Sequence, residues 1–438
     1  MNRTNEIVMA AINPAMPETG KVIHDSVHGS ITLPASYERI LSSPEMQRMG
    51  QIHQLGLANL VFPGANHTRL EHMLGTFRLA ARFSQALGIT GSERDLLLVS
   101  ALVHDVGHPP FSHTFEDVLK KRLRVDHMEL TARIILGEVD VVPDHEKYVV
   151  KNVPRIAECV ERMSVDPGEV AMTVMKERGA RGIPQYVTSL IHGPVDVDQI
   201  DYLMRDSYFT GVAPGRVDAD RIISTSRIIG SRMVVRKSGV PAIEGLIVSR
   251  ALMNSAVYFH RTVRIAEMML TKAVSMLDSA VFEDVFKDTD ASLSERLIRN
   301  GGFPRDIALR LKYRRLYKTA LLIDMDEMDA GQREAVSSLV RKGRLSSMED
   351  EICDELGVEH GSVIIDAAQP EYLSGAGIKG KTVVPIMDES GVVRPLTRLS
   401  SIARAVQQHS RQEWGLMVAC EKRLIPRASA IARRTIFS

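Results

Sequence analysis

The sequence has few cysteines, and it has no long apolar run. Its three cysteines, Cys159, Cys353 and Cys420, are far apart in 438 residues. This spacing favours a reducing compartment over a disulfide framework. No apolar run approaches the ~18 residues of a membrane span, so we expect no membrane partner. The apolar run at residues 7–12 is too short and poorly flanked for a signal peptide, so we predict a cytoplasmic protein.

Neither positively nor negatively charged residues are in excess. Lysine and arginine total 55, aspartate and glutamate total 54, and the formal net charge is +1. This balance provides no global argument for a nucleic-acid or membrane partner. One basic stretch, residues 310–315, could contact nucleic acid, but a basic helical face is more often only solvated.

Helical periodicity dominates the chain as far as about residue 356, and strands become frequent after it. We predict a β-hairpin over residues 228–244 with its turn near 237–239, and a long helix over 246–279. The predicted fold class is mainly α: a helical core, a short β-hairpin and a small α+β C-terminal part. The predicted domains are a loose N-terminal arm (1–20), the helical core (21–357) and a small α+β C-terminal domain (358–438).

A buried helix ends in two groups that are costly to bury. A helix is predicted from about Glu93, and its residues 96–99 and 101–102 are apolar on every side, which is typical of a helix enclosed by protein. His104 and Asp105 follow directly, and such groups are buried only when they are paired or bind a metal. A second helix begins at the capping box of Thr68 and Glu71. It places His72 either in a cleft or on a solvated face.

A third helix, over residues 196–208, carries three carboxylates on one face. Asp198 belongs to that face, which could equally be a solvated, salt-bridged surface. Two imidazoles and two carboxylates, from His72, His104, Asp105 and Asp198, would form a mixed nitrogen and oxygen ligand set. Such a set suits Mn, Fe, Ni, Zn or Mg, so we predict a divalent metal ion as cofactor.

Four blocks of sequence carry a family resemblance. They are KVIHDSVHG (21–29), QLGLANLVFPGANHTRLEHMLG (54–75), HDVGHPPFSHTFE (104–116) and DVDQIDYLMRD (196–206). Together they resemble the dNTP triphosphohydrolase branch of the HD-domain phosphohydrolases, which includes the SAM-and-HD-domain triphosphohydrolases and bacterial and archaeal relatives. The resemblance covers about residues 20–280 and makes the predicted helical core an HD domain.

The resemblance implies an activity and a role for each matching residue. The activity is metal-dependent hydrolysis of deoxynucleoside triphosphates to deoxynucleoside and triphosphate, by water attack at the α-phosphorus. The matching metal ligands are His72, His104, Asp105 and Asp198. The matching catalytic residues are His108, His113, Glu116 and His127. The residues matching triphosphate contacts are Arg69, Tyr202 and Arg250, and those matching the deoxyribose and base pocket are Gln54, Leu55, Asp206 and Tyr258. The resemblance also implies a homo-oligomer, either dimer or tetramer.

The chain departs from the family pattern at a few positions. Gln199 stands where the family often has a phosphate-binding lysine, and Met128 where a glutamate often follows the relay histidine. Ser42 and Gly50 stand where nucleotide-activated members carry an aspartate and an arginine. Two alternative functions therefore stay open. One is an HD phosphohydrolase acting on a nucleoside monophosphate, a cyclic nucleotide or another phosphoester, which Gln199 favours. The other is a non-catalytic nucleotide sensor or nucleic-acid-binding module.

Overall fold

The computed structural model describes residues 20–176, 182–370, 383–408 and 414–437. The predicted N-terminal arm, residues 1–20, lies outside the described residues apart from Gly20. The α-helices of the described part are Ala35–Leu41 (α1), Pro44–Met49 (α2), Arg69–Leu87 (α3), Gly91–Val103 (α4), Glu116–Leu123 (α5), His127–Ile135 (α6), Ile156–Arg162 (α7), Pro167–Val174 (α8), Gln185–His192 (α9), Val197–Thr210 (α10) and Ala219–Thr225 (α11). They continue with Val240–Met253 (α12), Arg261–Ser275 (α13), Ser279–Phe282 (α14), Asp290–Asn300 (α15), Gly302–Lys312 (α16), Ala330–Arg341 (α17), Leu345–Leu356 (α18), Leu396–Leu399 (α19), Ser401–Gln408 (α20) and Ile425–Phe437 (α21). The predicted mainly α fold class is confirmed.

Local signals in the sequence fix the ends of helix α3. The Thr68 hydroxyl accepts a hydrogen bond from the Glu71 backbone N–H, and the Glu71 carboxylate accepts one from the Thr68 N–H. This is the predicted capping box, which satisfies backbone donors that a helix start leaves free. Gly88 ends the helix in the left-handed conformation, at φ 70°.

Helices α3, α4 and α10 form the centre of the larger core. Along α4, residues 96–103 are all buried, as the apolar sequence predicts. Helices α3 and α10 approach each other closely at Gly75, where a Cβ would overlap the Asp201 carboxylate. A glycine is therefore required at this position, because any side chain would displace a buried carboxylate.

The strands of the described residues form three small sheets. Gly20–Asp25 (β1) and Gly29–Pro34 (β2) make an antiparallel hairpin. Ser226–Ile229 (β3), Arg232–Arg236 (β4), Pro385–Met387 (β7) and Val393–Pro395 (β8) lie side by side in that order. The third sheet has the order β5, β9, β6 and is antiparallel; its strands are Lys318–Asp324 (β5), Trp414–Cys420 (β9) and Val363–Ala367 (β6).

Strand β5 lies where the sequence favours helix, and two further elements differ from the sequence prediction. A hairpin forms, but its turn is at Gly230 and Ser231, not near residues 237–239. Gly230 has φ 58°, which a tight two-residue turn requires. The predicted helix over 246–279 is two helices, α12 and α13, separated by a π-helical turn at Asn254–Tyr258.

The predicted domain boundary at residues 357/358 stays a prediction. Strand β5 lies before that boundary, yet it pairs with β9 after it. Residues after the boundary also pack on the larger core, since Ile386 and Leu396 belong to the same buried cluster as α3 and α4. Among the described residues, no helix is both long enough and apolar enough to span a membrane.

Candidate active site

Four of the predicted site residues lie at helix ends, and the ends converge. His72 is in the first turn of α3, His104 and Asp105 follow the last residue of α4, and Asp198 is in the first turn of α10. One nitrogen of each histidine and one oxygen of Asp198 all lie within 4.8 Å of one another. Asp196 caps α10 by accepting the Gln199 backbone N–H, so the helix start that places Asp198 is fixed.

A buried carboxylate that the sequence analysis did not assign orients His72. The His72 Nδ1 donates to Asp201 Oδ2 at 2.7 Å, and both side chains are fully buried. Asp201 also accepts from His28 Nε2 at 2.6 Å and from Arg205 Nε at 3.0 Å. Arg205 in turn donates to Asp25 at 2.8 Å. The His72 Nε2 therefore faces the other ligand candidates, since a bond at one ring nitrogen fixes the orientation of the other.

The second imidazole is fixed in a similar way. The His104 Nδ1 donates to the Ala101 carbonyl at 3.0 Å, so its Nε2 points towards the carboxylates. That Nε2 lies 3.4 Å from Asp105 Oδ1 and 3.8 Å from Asp198 Oδ1. Asp105 is next to the group of three, with Oδ2 at 3.7 Å from His72 Nε2. The same Oδ2 accepts a hydrogen bond from Arg69, which is buried.

Two observations show that these residues fit a divalent cation. The His72 and His104 Nε2 atoms are buried, and neither has a hydrogen-bond partner among the described residues. Burial lowers the pKa of His72, but Asp198 and Asp201 outweigh it and raise that pKa to about 10. The imidazoles hold the pKa of Asp198 well below its usual range, although burial opposes this. Asp198 and Asp201 thus favour a positive charge beside the imidazole rings. Either a proton or a bound cation would supply that charge.

Three further imidazoles lie beside this group. His108 and His127 stack with ring centroids 4.2 Å apart, and His113 meets His108 edge-on at 4.6 Å. Glu116 accepts hydrogen bonds from the Nδ1 atoms of both His113 (2.9 Å) and His127. These bonds outweigh burial and lower the pKa of Glu116, so it is a carboxylate at neutral pH. Burial of His108, together with the nearby Arg69 and His127, holds the pKa of His108 well below its usual range.

A strained loop carries His113, and a distant helix holds that loop. Phe111 and Ser112 both have positive φ, at 56° and 61°. The Phe111 N–H donates to Asp290 Oδ1 at 2.6 Å, and Asp290 is the first residue of α15. The guanidinium of Arg48 donates to the His108 carbonyl at 3.0 Å and to carbonyls of residues 286–288. Such strained conformations persist only when the surroundings fix them, which is what these bonds do.

Two of the residues predicted for the deoxyribose and base pocket, Asp206 and Tyr258, belong to one hydrogen-bonded chain. Asp206 is buried and accepts from His67 Nε2 at 2.8 Å and from the Tyr258 hydroxyl at 2.7 Å. The Tyr258 ring lies 6.1 Å from that of Tyr202. His67 is absent from the sequence prediction, although it lies within one of the four matching blocks.

A cavity of about 170 Å³ joins most of the predicted residues. The predicted residues that line it are Gln54, Arg69, His104, Asp105, His108, His113, His127, Asp198 and Tyr202. The predicted residues outside its lining are Leu55, His72, Glu116, Asp206, Arg250 and Tyr258, of which His72 and Glu116 contact lining residues directly. Met128, Lys176 and His192 also line it, and of these the sequence analysis assigned no role to Lys176 or His192. Gln199 is fully buried and does not line the cavity.

Comparison with known proteins identifies the family. Residues 69–203 match the HD domain family, and residues 217–436 match the HD associated region. The chain belongs to the HD-domain family. An uncharacterised protein of Methanocaldococcus jannaschii is 31% identical over 421 residues, which cover 92% of this chain and 80% of that protein.

Two further relatives extend the comparison. The deoxynucleoside triphosphate triphosphohydrolase SAMHD1 of Homo sapiens is 30% identical over 286 residues, which cover 60% of this chain and 46% of that protein. The crystal structure of a hypothetical protein from Aquifex aeolicus superposes with a TM-score of 0.68 at 27% identity, covering 94% of this chain and 100% of that one. The predicted resemblance to the dNTP triphosphohydrolase branch is confirmed. The HD-domain protein described here is a metal-dependent phosphohydrolase of the HD superfamily.

Proposed function

We propose that this HD-domain protein hydrolyses deoxynucleoside triphosphates to deoxynucleoside and triphosphate. The observation that carries the proposal is the cavity itself, where the group of His72, His104 and Asp198 adjoins three imidazoles and a buried arginine. The named activity of the human relative supports the substrate class. A homo-oligomeric assembly and a cytoplasmic location are part of the proposal.

The proposed ligands are His72, His104, Asp105 and Asp198, with Asp201 orienting the first. When bound, a divalent cation there would polarise a phosphoryl oxygen and make a water molecule acidic enough to ionise near neutral pH. Arg69 has two bonds that fix its guanidinium, one to Asp105 and one of 2.8 Å to the Ser112 hydroxyl. A guanidinium fixed at one edge of the cavity orients phosphate oxygens without first losing side-chain freedom.

The imidazole cluster is suited to proton transfer. Water attack at the α-phosphorus breaks the bond to the 5′ oxygen, and that oxygen then needs a proton. His113 is the most exposed imidazole of the cluster, and Glu116 holds its Nδ1, which leaves Nε2 to donate that proton. Burial lowers the pKa of His113, and the hydrogen bond to Glu116 opposes that shift, so Glu116 favours the protonated ring that would donate the proton. His127 shares Glu116 and would return a proton to the pair.

Product identity tests the proposal. The metal-loaded protein is incubated in ¹⁸O-labelled water with each dNTP, each NTP, a deoxynucleoside monophosphate and a cyclic nucleotide. We expect deoxynucleoside and triphosphate, with the isotope on a terminal phosphorus of the triphosphate as seen by ³¹P NMR. Orthophosphate or pyrophosphate from dNTPs would contradict the proposal, and so would label in the nucleoside.

A second activity remains a candidate for one structural reason. The cavity, at about 170 Å³, is smaller than the ~300–1,000 Å³ usual for small-molecule sites. It would enclose a phosphoryl group more readily than a complete nucleotide. Turnover of the monophosphate or the cyclic nucleotide in the same assay, without turnover of dNTPs, would favour a different phosphoester as the substrate.

A further inference from the structure

Lys176 and His192 line the catalytic cavity, although no role has been assigned to either. Lys176 follows the C-terminal end of α8, and His192 is the last residue of α9. Both line the same cavity as Arg69 and Asp198. They therefore form a side of the cavity that the four family-like sequence blocks do not include.

The positive charge of Lys176 is available to a ligand. Its side chain is exposed, and among the described residues it has no ion-pair partner. Arg69 also lines the cavity, but Asp105 already pairs with it. A phosphate chain with several negative charges would thus meet one neutralised cation and one available cation. Gln199, where relatives often carry the phosphate-binding lysine, is buried outside the cavity and supplies no charge there.

His192 links Lys176 to the cavity wall. Its Nε2 is buried with no hydrogen-bond partner among the described residues, helix α9 packs against α8, and the Val174 backbone interacts electrostatically with the ring. Val174 is the last residue of α8, two positions before Lys176. Burial lowers the pKa of His192 to about 3, with Lys176 and His104 adding to the effect and Asp198 opposing it. The ring is therefore neutral, and it fixes the end of α8 without adding a second charge.

We propose that Lys176 binds a non-bridging oxygen of the substrate's phosphate chain, and that His192 positions it by holding the end of helix α8. The inference rests on the proposed function for its substrate class. The missing cation at position 199 is then supplied by Lys176 from the end of helix α8, beside the Arg69 guanidinium that Asp105 already pairs. Lysine acts here as a flexible point charge, so a phosphate chain longer than one group benefits most.

Binding of inorganic triphosphate to the metal-loaded protein tests Lys176 directly. Isothermal titration calorimetry compares the wild type with Lys176→Met, Lys176→Arg and the exposed control Lys151→Met, which loses the same charge elsewhere. We expect affinity to fall about tenfold in Lys176→Met, the effect of one partly solvated charge-assisted hydrogen bond. Lys176→Arg should retain affinity within about threefold, because the charge is kept. Unchanged affinity in Lys176→Met, or an equal loss in Lys151→Met, would overturn the inference, as would absence of triphosphate binding by the wild type.

Turnover separates this inference from the proposed function. With the substrate that the protein does hydrolyse, Lys176→Met should raise KM and leave kcat within about twofold, because the lost contact is uniform binding. If the product is orthophosphate, the proposed function fails, but the Lys176 effect on triphosphate binding still decides the inference. If the product is triphosphate and Lys176→Met has the wild-type KM, the inference alone fails.

A double-mutant cycle tests the positioning role of His192. His192→Phe keeps an aromatic ring but lacks the imidazole nitrogens that interact with the Val174 backbone. We expect it to weaken triphosphate binding about threefold when Lys176 is present and to have no effect in Lys176→Met, since coupled residues are not additive. Equal effects in both backgrounds would remove His192 from this role. Metal content measured on each variant separates the result from damage to the neighbouring His104 and Asp198.

Discussion

Asp201→Asn is the sharpest perturbation of the site that leaves every proposed ligand in place. Asp201 is fully buried and accepts from His28, His72 and Arg205, the last through both Nε at 3.0 Å and Nη2 at 3.1 Å. These partners also depress its pKa far below the usual 3.8, although burial opposes the shift. An asparagine has the same shape but no charge, and one of its two acceptor atoms becomes a donor.

The structure sets the size of the expected effects. Removing one partner from a buried group of paired charges lowers the free energy of unfolding by about 3–5 kcal/mol, because the remaining charges are left uncompensated. A chain of this length unfolds with about 2.1 cal/mol/K per residue, so Tm should fall by about 3–5 °C. Loss of the carboxylate that orients a metal-bound histidine typically lowers metal affinity by about 10–100-fold. Both effects should appear together, because one carboxylate supports both Arg205 and His72.

The assay measures metal affinity by chelator competition and stability by thermal unfolding with and without metal. The control is Asp220→Asn, which neutralises an exposed carboxylate paired with Arg82. That variant should change stability by less than about 1 kcal/mol and leave metal affinity unchanged. Wild-type metal affinity in Asp201→Asn would refute the argument that Asp201 fixes the His72 ring for a cation, whatever happens to Tm.

Three further predictions concern the same site. Asp105→Ala should lose metal loading and turnover together, and full activity of this variant without metal would contradict the assignment of a metal site. His113→Ala should keep its metal but lose about 10²–10⁴-fold in kcat, as for removal of a general acid; an unchanged kcat would remove His113 from the mechanism. The pKa of His72, raised from 6.5 to about 10, predicts that the metal-free protein is stabilised most below pH 6.5 and loses this contribution as pH rises through 10. Urea unfolding of the chelated protein from pH 6 to pH 10 measures this change in the free energy of unfolding. His72→Gln should show a smaller dependence on pH than the wild type. A wild-type free energy that does not change with pH would contradict the prediction.

Local signals made much of the helical core predictable. The capping box at Thr68 and Glu71 predicted the start of α3, and the apolar residues of α4 between Leu96 and Val103 predicted the burial of that part of the helix. His72, His104 and Asp198 follow from those two helices and the acidic face of α10, and the structure brings them together. Their roles as ligands stay predictions until metal is measured.

Other features depend on contacts that the sequence does not display. Strand β5 has the sequence KTALLID, a short apolar run that is equally compatible with a helix. The segment is a strand because it pairs with β9, about 100 residues away. Asp201 was visible on the acidic face of α10, but only packing shows that it bonds to His72. Lys176 and His192 carry no motif, because two separate helices have to meet before they share a cavity.

The bond between Asp290 and Phe111 has a consequence for how this protein can be divided. Asp290 lies in the segment matched as the HD associated region, whereas Phe111 lies in the HD domain. An HD domain excised at its matched boundaries, or fused to a foreign C-terminal half, would lose the anchor of the loop that carries His113. The two regions are therefore exchangeable only as a unit. Any event that shifts α15, however remote from the phosphates, reaches the loop that carries His113 through the Asp290 carboxylate.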